Sequence, residues 1–210
     1  MYALYTILLY VCNDYIVAQK SVLIIIGHPN STSFNHALAN AYADGVRESG
    51  AVVETLNLRE LEFDWKADPR TIANLEPDIL KAQSKIKQAD HVAWVYPLWW
   101  GSAPAVLKAF VDRVFISGFA MQYESGKPMP KKLLGGRTSQ IIITMDSPSF
   151  WHALMYKRSG TTWLRWATLW FSGFKTTKPW EVTGVRESTP EKRSSWLAKA
   201  KELGARDGRA

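Results

Sequence analysis

One stretch narrows the possible folds more than any other. His91-Val92-Ala93-Trp94-Val95-Tyr96 is an apolar run with the β-branched and aromatic content of a buried strand. Pro97-Leu98-Trp99-Trp100-Gly101-Ser102-Ala103 follows as a tight loop, and Pro104 then opens the amphipathic run Ala105-Val106-Leu107-Lys108-Ala109-Phe110. Proline suits the start of a helix, where its missing N–H would have had no partner and its φ is already near helical. Val22-Leu23-Ile24-Ile25-Ile26, followed by Gly27-His28-Pro29-Asn30-Ser31-Thr32-Ser33, repeats the strand-then-loop plan. Continuous aliphatic strands of this kind belong to parallel sheets covered on both faces.

The rest of the chain fits that plan. After the first loop, Phe34, Ala37, Leu38, Ala41, Gly45 and Val46 form one helical stripe, with Ser33 or Thr32 suited to cap it and Gly50 to end it. Val52-Val53-Glu54-Thr55-Leu56 reads as the second strand, and helices are expected over about 77–88 and 104–116. The fourth strand covers 138–145, a helix covers 161–171, and a short fifth strand lies near 175–182. Thr189-Pro190-Glu191-Lys192 starts the final helix, with Trp196, Leu197 and Leu203 facing in and the last residues frayed. Residues 58–74 and 117–137 read as loops. Five strands alternating with helices predict an α/β doubly wound five-stranded parallel sheet in the order 2-1-3-4-5, helices on both faces.

Residues 21–210 form the single domain of this reading, and 1–20 an extension of uncertain role. That extension lacks the positive start and small-residue cleavage site of a secretory leader. Asn13 and Asp14 interrupt it before the ~20 residues a membrane span needs, so no stable membrane insertion is expected. The lone Cys12 excludes a disulfide framework within one chain and suits a cytoplasmic setting. Four scattered histidines without nearby carboxylate partners make no metal site. Charge is uneven: residues 1–120 carry 10 Lys and Arg against 12 Asp and Glu, and residues 121–210 carry 16 against 7. The basic half has no nucleic-acid-binding signature, and no nucleic acid partner is expected.

In sheets of this type ligands sit outside the carboxyl ends of the strands. The chain has no Gly-x-Gly-x-x-Gly after its first strand, no phosphate-binding Gly-x-x-x-x-Gly-Lys and no Gly-x-Ser-x-Gly elbow. Instead His28, Ser31, Thr32, Ser33, Phe34 and Asn35 crowd a helix N-terminus, where free N–H groups favour a phosphate. Ordinary capping by Ser33 accounts for one of those hydroxyls without any ligand. Pro97, Leu98, Trp99, Trp100 and Gly101 combine backbone donors with flat apolar side chains and suit a planar, heteroatom-rich ring such as a flavin; the alternative is a turn whose tryptophans plug the core. Thr144, Met145, Asp146 and Ser147 end the fourth strand at the same crevice, and Asp146 is expected to face backbone N–H groups.

These residues carry a resemblance. His28-Pro29 with Ser33-Phe34-Asn35, Pro97-Leu98-Trp99-Trp100-Gly101, Pro104-Ala105-Val106-Leu107-Lys108, Asp112-Arg113-Val114-Phe115 and Gly118-Phe119-Ala120 resemble the flavodoxin-like NAD(P)H:quinone oxidoreductases. That family includes DT-diaphorase, the modulator-of-drug-activity proteins and the potassium-efflux ancillary flavoproteins. The similarity spans roughly 21–185. It implies a homodimer holding FMN or FAD and passing electrons from NAD(P)H to a small quinone-like acceptor in ping-pong fashion. It further implies that Thr32 to Asn35 hold the flavin phosphate region, that Leu98 to Gly101 hold the ring, and that Thr144 to Ser147 line its other side. Asp146 and Ser147 stand where the mammalian enzyme has two glycines, a departure toward the bacterial branch that favours FMN. The mammalian Tyr and His that assist transfer have His152 and Tyr156 as nearby candidates here. The competing functional reading is a flavin-binding, redox-sensing regulatory subunit of a partner such as a cation-efflux system.

Overall fold

The computed structural model describes residues 19–66 and 74–209; the extension over 1–18 and part of the 58–74 loop lie outside the described residues. Strand β1 (Ser21–Ile26) is central. It pairs in parallel with β2 (Val52–Asn57) on one side and β3 (His91–Pro97) on the other. Outside β3 lies β6 (Thr138–Met145), and beyond it the two short strands β7 (Lys175–Thr176) and β8 (Trp180–Thr183), all parallel. The order β2-β1-β3-β6-β7 is the expected 2-1-3-4-5, with the fifth position shared by β7 and β8.

Between those two strands Pro179 has no N–H to donate to the ladder. The side chain of Gln140 fills the gap, donating to the Lys178 carbonyl at 3.2 Å and accepting from the Thr177 hydroxyl at 2.6 Å. A separate hairpin of β4 (Met121–Gln122) and β5 (Lys131–Lys132) occupies the segment expected as loop.

Val22 to Ile26 and Val92 to Tyr96 are buried throughout, as continuous aliphatic strands require. On one face α1 (Phe34–Glu48) and α6 (Pro190–Arg209) close over Val22, Ile24, Ile26, Val95 and Ile142. On the other, α2 (Pro77–Gln88) and α3 (Ala105–Val114) close over Leu23, Ile25, Trp94, Ile141 and Ile143. The two helices of the first face touch backbone to backbone: a Cβ on Gly45 would sit 1.9 Å from the Lys201 carbonyl oxygen, so only glycine fits.

Three local expectations are corrected. The helix expected over 161–171 follows α4 (Ser149–Leu154) and consists of short α5 (Ser159–Thr162) and a π-helical stretch, Trp163–Trp170. Its wider turn carries two outward indoles, Trp166 and Trp170, that meet at 6.3 Å. The end of α6 is not frayed but runs to Arg209 with Asp207 buried. At the start of α1 neither Thr32 nor Ser33 caps: the Thr32 hydroxyl donates to Asn30 Oδ1 at 2.9 Å, and Ser33 Oγ lies 2.9 Å from His36 Nδ1.

Helix α6 is anchored through a buried polar chain beneath the amino ends of the strands. Tyr42 donates to Asp207 Oδ2 at 2.7 Å and lies 3.1 Å from His91 Nε2. His91 Nδ1 is 2.7 Å from the Thr138 hydroxyl, and Arg206 donates to Asp207 at 2.7 and 2.9 Å. With Tyr42 spending its proton on a carboxylate, His91 donates from Nε2 and accepts at Nδ1, and every member is satisfied.

Candidate active site

The carboxyl ends of β1, β3 and β6 open into a crevice of 220 Å³. Gly27 N–H extends β1 by donating to Val95 O at 2.9 Å, and Leu98 N–H extends β3 by donating to Thr144 O at 2.7 Å. These two bonds carry the loops out side by side. The structure brings ten of the expected residues to the crevice: His28, Ser33, Phe34, Asn35, Pro97, Leu98, Trp99, Thr144, Met145 and Asp146.

Its polar end is the first turn of α1. Asn30 folds the approach by accepting from both N–H and Oγ1 of Thr32, each at 2.9 Å, in the manner of an Asx turn. Ser33 occupies the N-cap position in extended conformation, but its hydroxyl turns to His36. The first amides of a helix have no intrahelical partner, so the N–H groups of Phe34 and Asn35 remain for a ligand. The side chain of Asn35 is not available: it is buried and donates to Thr144 Oγ1 at 3.0 Å, tying α1 to the end of β6.

His28 Nδ1 lies 2.9 Å from the Asn30 nitrogen and 3.1 Å from the Asn30 carbonyl oxygen, so one backbone residue holds that edge of the ring. Burial pushes its pKa below the usual histidine value and His36 adds to this, against the opposing effect of its contact with the Asn30 backbone. It meets Trp99 edge-on at 5.5 Å.

The apolar wall is a two-residue hairpin. Trp99 and Ser102 exchange backbone hydrogen bonds at 2.8 and 2.9 Å, and the two residues between them, Trp100 and Gly101, have φ of 52° and 75°. Two successive left-handed residues match the tight hairpin turn in which glycine is favoured. Trp99 is half-exposed along the crevice, whereas Trp100 is fully exposed and stands away from it. Neither indole plugs the core.

On the opposite side, Asp146 accepts from Arg186 N–H at 2.8 Å and pairs with its guanidinium at 3.4 Å, which keeps the carboxylate on a backbone donor as expected. Thr32, Trp100, Gly101 and Ser147 do not line the crevice; they stand in the loops around it. Val185 does line it, and no local motif announced it, because it arrives from the segment after β8. Tyr156 is half-exposed with its ring against Gly101, and His152 is completely buried with Nδ1 3.1 Å from Glu181.

An uncapped helix terminus, a flat indole wall and a strand-end loop facing one crevice fit a phosphorylated, planar group. The sequence profile of the flavodoxin-like fold family matches residues 20–204. This chain belongs to that family. The flavodoxin-like chain is 29% identical over 216 residues to the ribosyldihydronicotinamide dehydrogenase [quinone] of Pongo abelii, covering 87% of this chain and 89% of that protein. It is 37% identical over 131 residues to an uncharacterized NAD(P)H oxidoreductase of Haemophilus influenzae, covering 60% and 64%. Its structure superposes on the NAD(P)H:quinone oxidoreductase of Methanothermobacter marburgensis with a TM-score of 0.73 at 24% identity, over 90% of this chain and 98% of that one.

Proposed function

We propose that the crevice holds FMN, with its phosphate on the first turn of α1 and its ring between Trp99 and the end of β6, and that NAD(P)H and a quinone take turns above it. The chain is an NAD(P)H oxidoreductase of the quinone-reducing kind. The observation that carries the site assignment is the uncapped start of α1. A serine stands at the N-cap position, yet its hydroxyl is spent on His36 and leaves the helix amides for an anion. Such a terminus takes a phosphomonoester or a pyrophosphate, and the choice of FMN over FAD rests on Asp146 and Ser147 standing where the mammalian enzyme has two glycines.

The flavin supplies the redox chemistry, accepting two electrons from the nicotinamide and yielding them to the acceptor. The residues of this chain bind, orient and exclude water. Leu98, Trp99 and Met145 give the ring apolar contact, and the amides of Phe34 and Asn35 hold the phosphate. Neutral His28 stands beside Trp99 at the crevice wall. Tyr156, at the rim against Gly101, is the candidate to touch the acceptor. His152, buried behind Leu98 and Gly160, acts on the site only through its neighbours.

Among the described residues no helix is long and apolar enough to cross a membrane. We place the protein in a reducing, cytoplasmic setting on its lone Cys12. We further propose a homodimer. Phe150, Leu154, Met155, Trp166 and Trp170 are all exposed, and that many large apolar side chains favour a protein partner.

Titration with FMN and FAD, followed by steady-state oxidation of NADH and NADPH with a simple benzoquinone, tests the reading. Tighter binding of FMN and parallel double-reciprocal lines are expected. Tighter binding of FAD would overturn the cofactor choice, and uptake of neither flavin would overturn the site.

A further inference from the structure

Two strained turns stand back to back beside the crevice. One is Trp100-Gly101; the other is Lys157-Arg158, with φ of 47° and 55°. Left-handed backbone is unfavourable for residues bearing a Cβ, and it persists where the surroundings over-determine it. Here each turn braces the other. The Tyr156 ring lies on Gly101, where an added Cβ would come within 3.2 Å of it. The Ser159 hydroxyl donates to the Gly101 carbonyl, and Tyr96 donates to the Gly160 carbonyl at 2.7 Å. Leu98 fills the space over Gly160 so closely that a Cβ there would lie 2.1 Å from its Cδ1.

A single carboxylate fastens the second turn to the sheet. Glu181 on β8, its side chain 7% exposed, accepts from the Ser149 hydroxyl, from His152 Nδ1 at 3.1 Å and from the Arg158 guanidinium. All three donors come from residues 149–158, the segment that delivers Tyr156 to Gly101 and leads directly into Ser159. Burial by itself would raise this carboxyl, but the hydrogen bonds from Ser149, Arg158 and His152 outweigh it and hold the pKa below the usual carboxylate value. An ionised carboxylate only accepts, so His152 carries its proton on Nδ1. Its Nε2 is buried without a hydrogen-bond partner among the described residues, 3.1 Å from where a Gly160 Cβ would be. The Nδ1 contact with Glu181 therefore ties the orientation of the ring to that carboxylate.

We propose that Glu181 is a positioning residue for the crevice: it pins segment 149–158, the pinned segment shores up the Trp99-to-Ser102 hairpin, and the hairpin presents the wall for the ring. The expected effect on flavin affinity rests on the proposed function; the pinning itself does not. Arginine at the second turn follows from the same arrangement, since Arg158 gains the carboxylate in return for its backbone conformation.

Amide hydrogen exchange by NMR, on flavin-free protein, separates this role from a general contribution to stability. Trp99 and Ser102 report the hairpin, because each donates to the other's carbonyl; the amides of β1 report global opening. Glu181→Ala is expected to speed exchange at Trp99 and Ser102 on the order of tenfold with β1 unchanged, Ser149→Ala to do so by less, and the Kd for FMN to rise on the same order. Unchanged exchange at the hairpin, or acceleration shared equally by β1, would overturn the proposal. If Glu181→Ala does not fold, Ser149→Ala decides by the same readout. A loosened hairpin in a protein whose wild type takes up no FMN would leave the positioning role standing and remove the flavin reading.

Discussion

The two ends of the sheet solve opposite problems with the same kinds of residue. Under the amino ends of β1, β3 and β6, Tyr42, His91, Thr138, Asp207 and Arg206 satisfy one another. At the carboxyl ends, the hydroxyls of Thr32 and Ser33 turn to neighbouring side chains while the first amides of α1 stay without a helical partner. The first arrangement is closed and its value lies in stability; the second is left open and its value lies in what it receives. Backbone strain follows the same division: among the described residues, the left-handed non-glycine residues Trp100, Lys157 and Arg158 all lie near the open end. Unfinished polar groups and strain together mark a functional site more securely than residue types do.

The comparison breaks most readily at the closed end. Asp207→Ala leaves the buried Tyr42 hydroxyl without its acceptor and the half-exposed Arg206 without its carboxylate, and an unsatisfied buried donor costs on the order of 1–3 kcal/mol. Urea unfolding should show that loss with FMN affinity unchanged. A comparable fall in FMN affinity would mean that the two ends are coupled.

The pH dependence comes next. Burial pushes the His91 pKa down from the usual histidine value to about 4, opposed by Asp207 and aided by Lys20 and Arg206. Between pH 6.5 and about 4 the unfolded chain therefore binds a proton that the native protein does not, and stability falls as pH falls through that window. The expected loss is on the order of 3 kcal/mol, and His91→Gln should flatten the profile there. Below the ordinary carboxylate range Glu181 adds a second loss with falling pH, because its pKa is depressed in the folded state and its hydrogen bonds lapse on protonation.

At the open end the effects shift from stability to binding. Gly101→Ala places a Cβ on a left-handed residue against the Tyr156 ring, at about 1–2 kcal/mol. Calorimetric melting should show a modest fall and flavin titration a clear one. Trp99→Ala should weaken FMN binding several-fold, about 1 kcal/mol, with the melting temperature nearly unchanged. Trp100→Ala should do less, because Trp100 is fully exposed and stands outside the crevice. A larger effect at Trp100 than at Trp99 would reverse the assignment of the wall.

The open end was also the legible one. Val22 to Ile26, His91 to Tyr96 and Ile141 to Ile143 declare buried parallel strands by composition alone, and a loop after each strand carries the turn and donor residues of a ligand crevice. The sheet order follows from the element count and the handedness of crossovers. The closed end left no such trace. Tyr42 and Asp207 lie 165 residues apart and share no period or motif, so the chain that anchors α6 emerges only once the helices are packed. The same holds for Glu181, whose three donors come from a segment that reads as a run of aromatics. Capping by Ser33 failed as an expectation because His36, one turn on, competes for the same hydroxyl. The fifth strand, expected as one run near 175–182, is broken before Pro179, and its repair by Gln140 has no local signal in the sequence.

The central claim is that the open end receives a flavin, and a visible absorption spectrum of the freshly purified protein tests it most directly. The account predicts a yellow protein, or a colourless one that turns yellow with added FMN, and that bleaches when NADPH or NADH is added without oxygen. A protein that stays colourless with both FMN and FAD would contradict it.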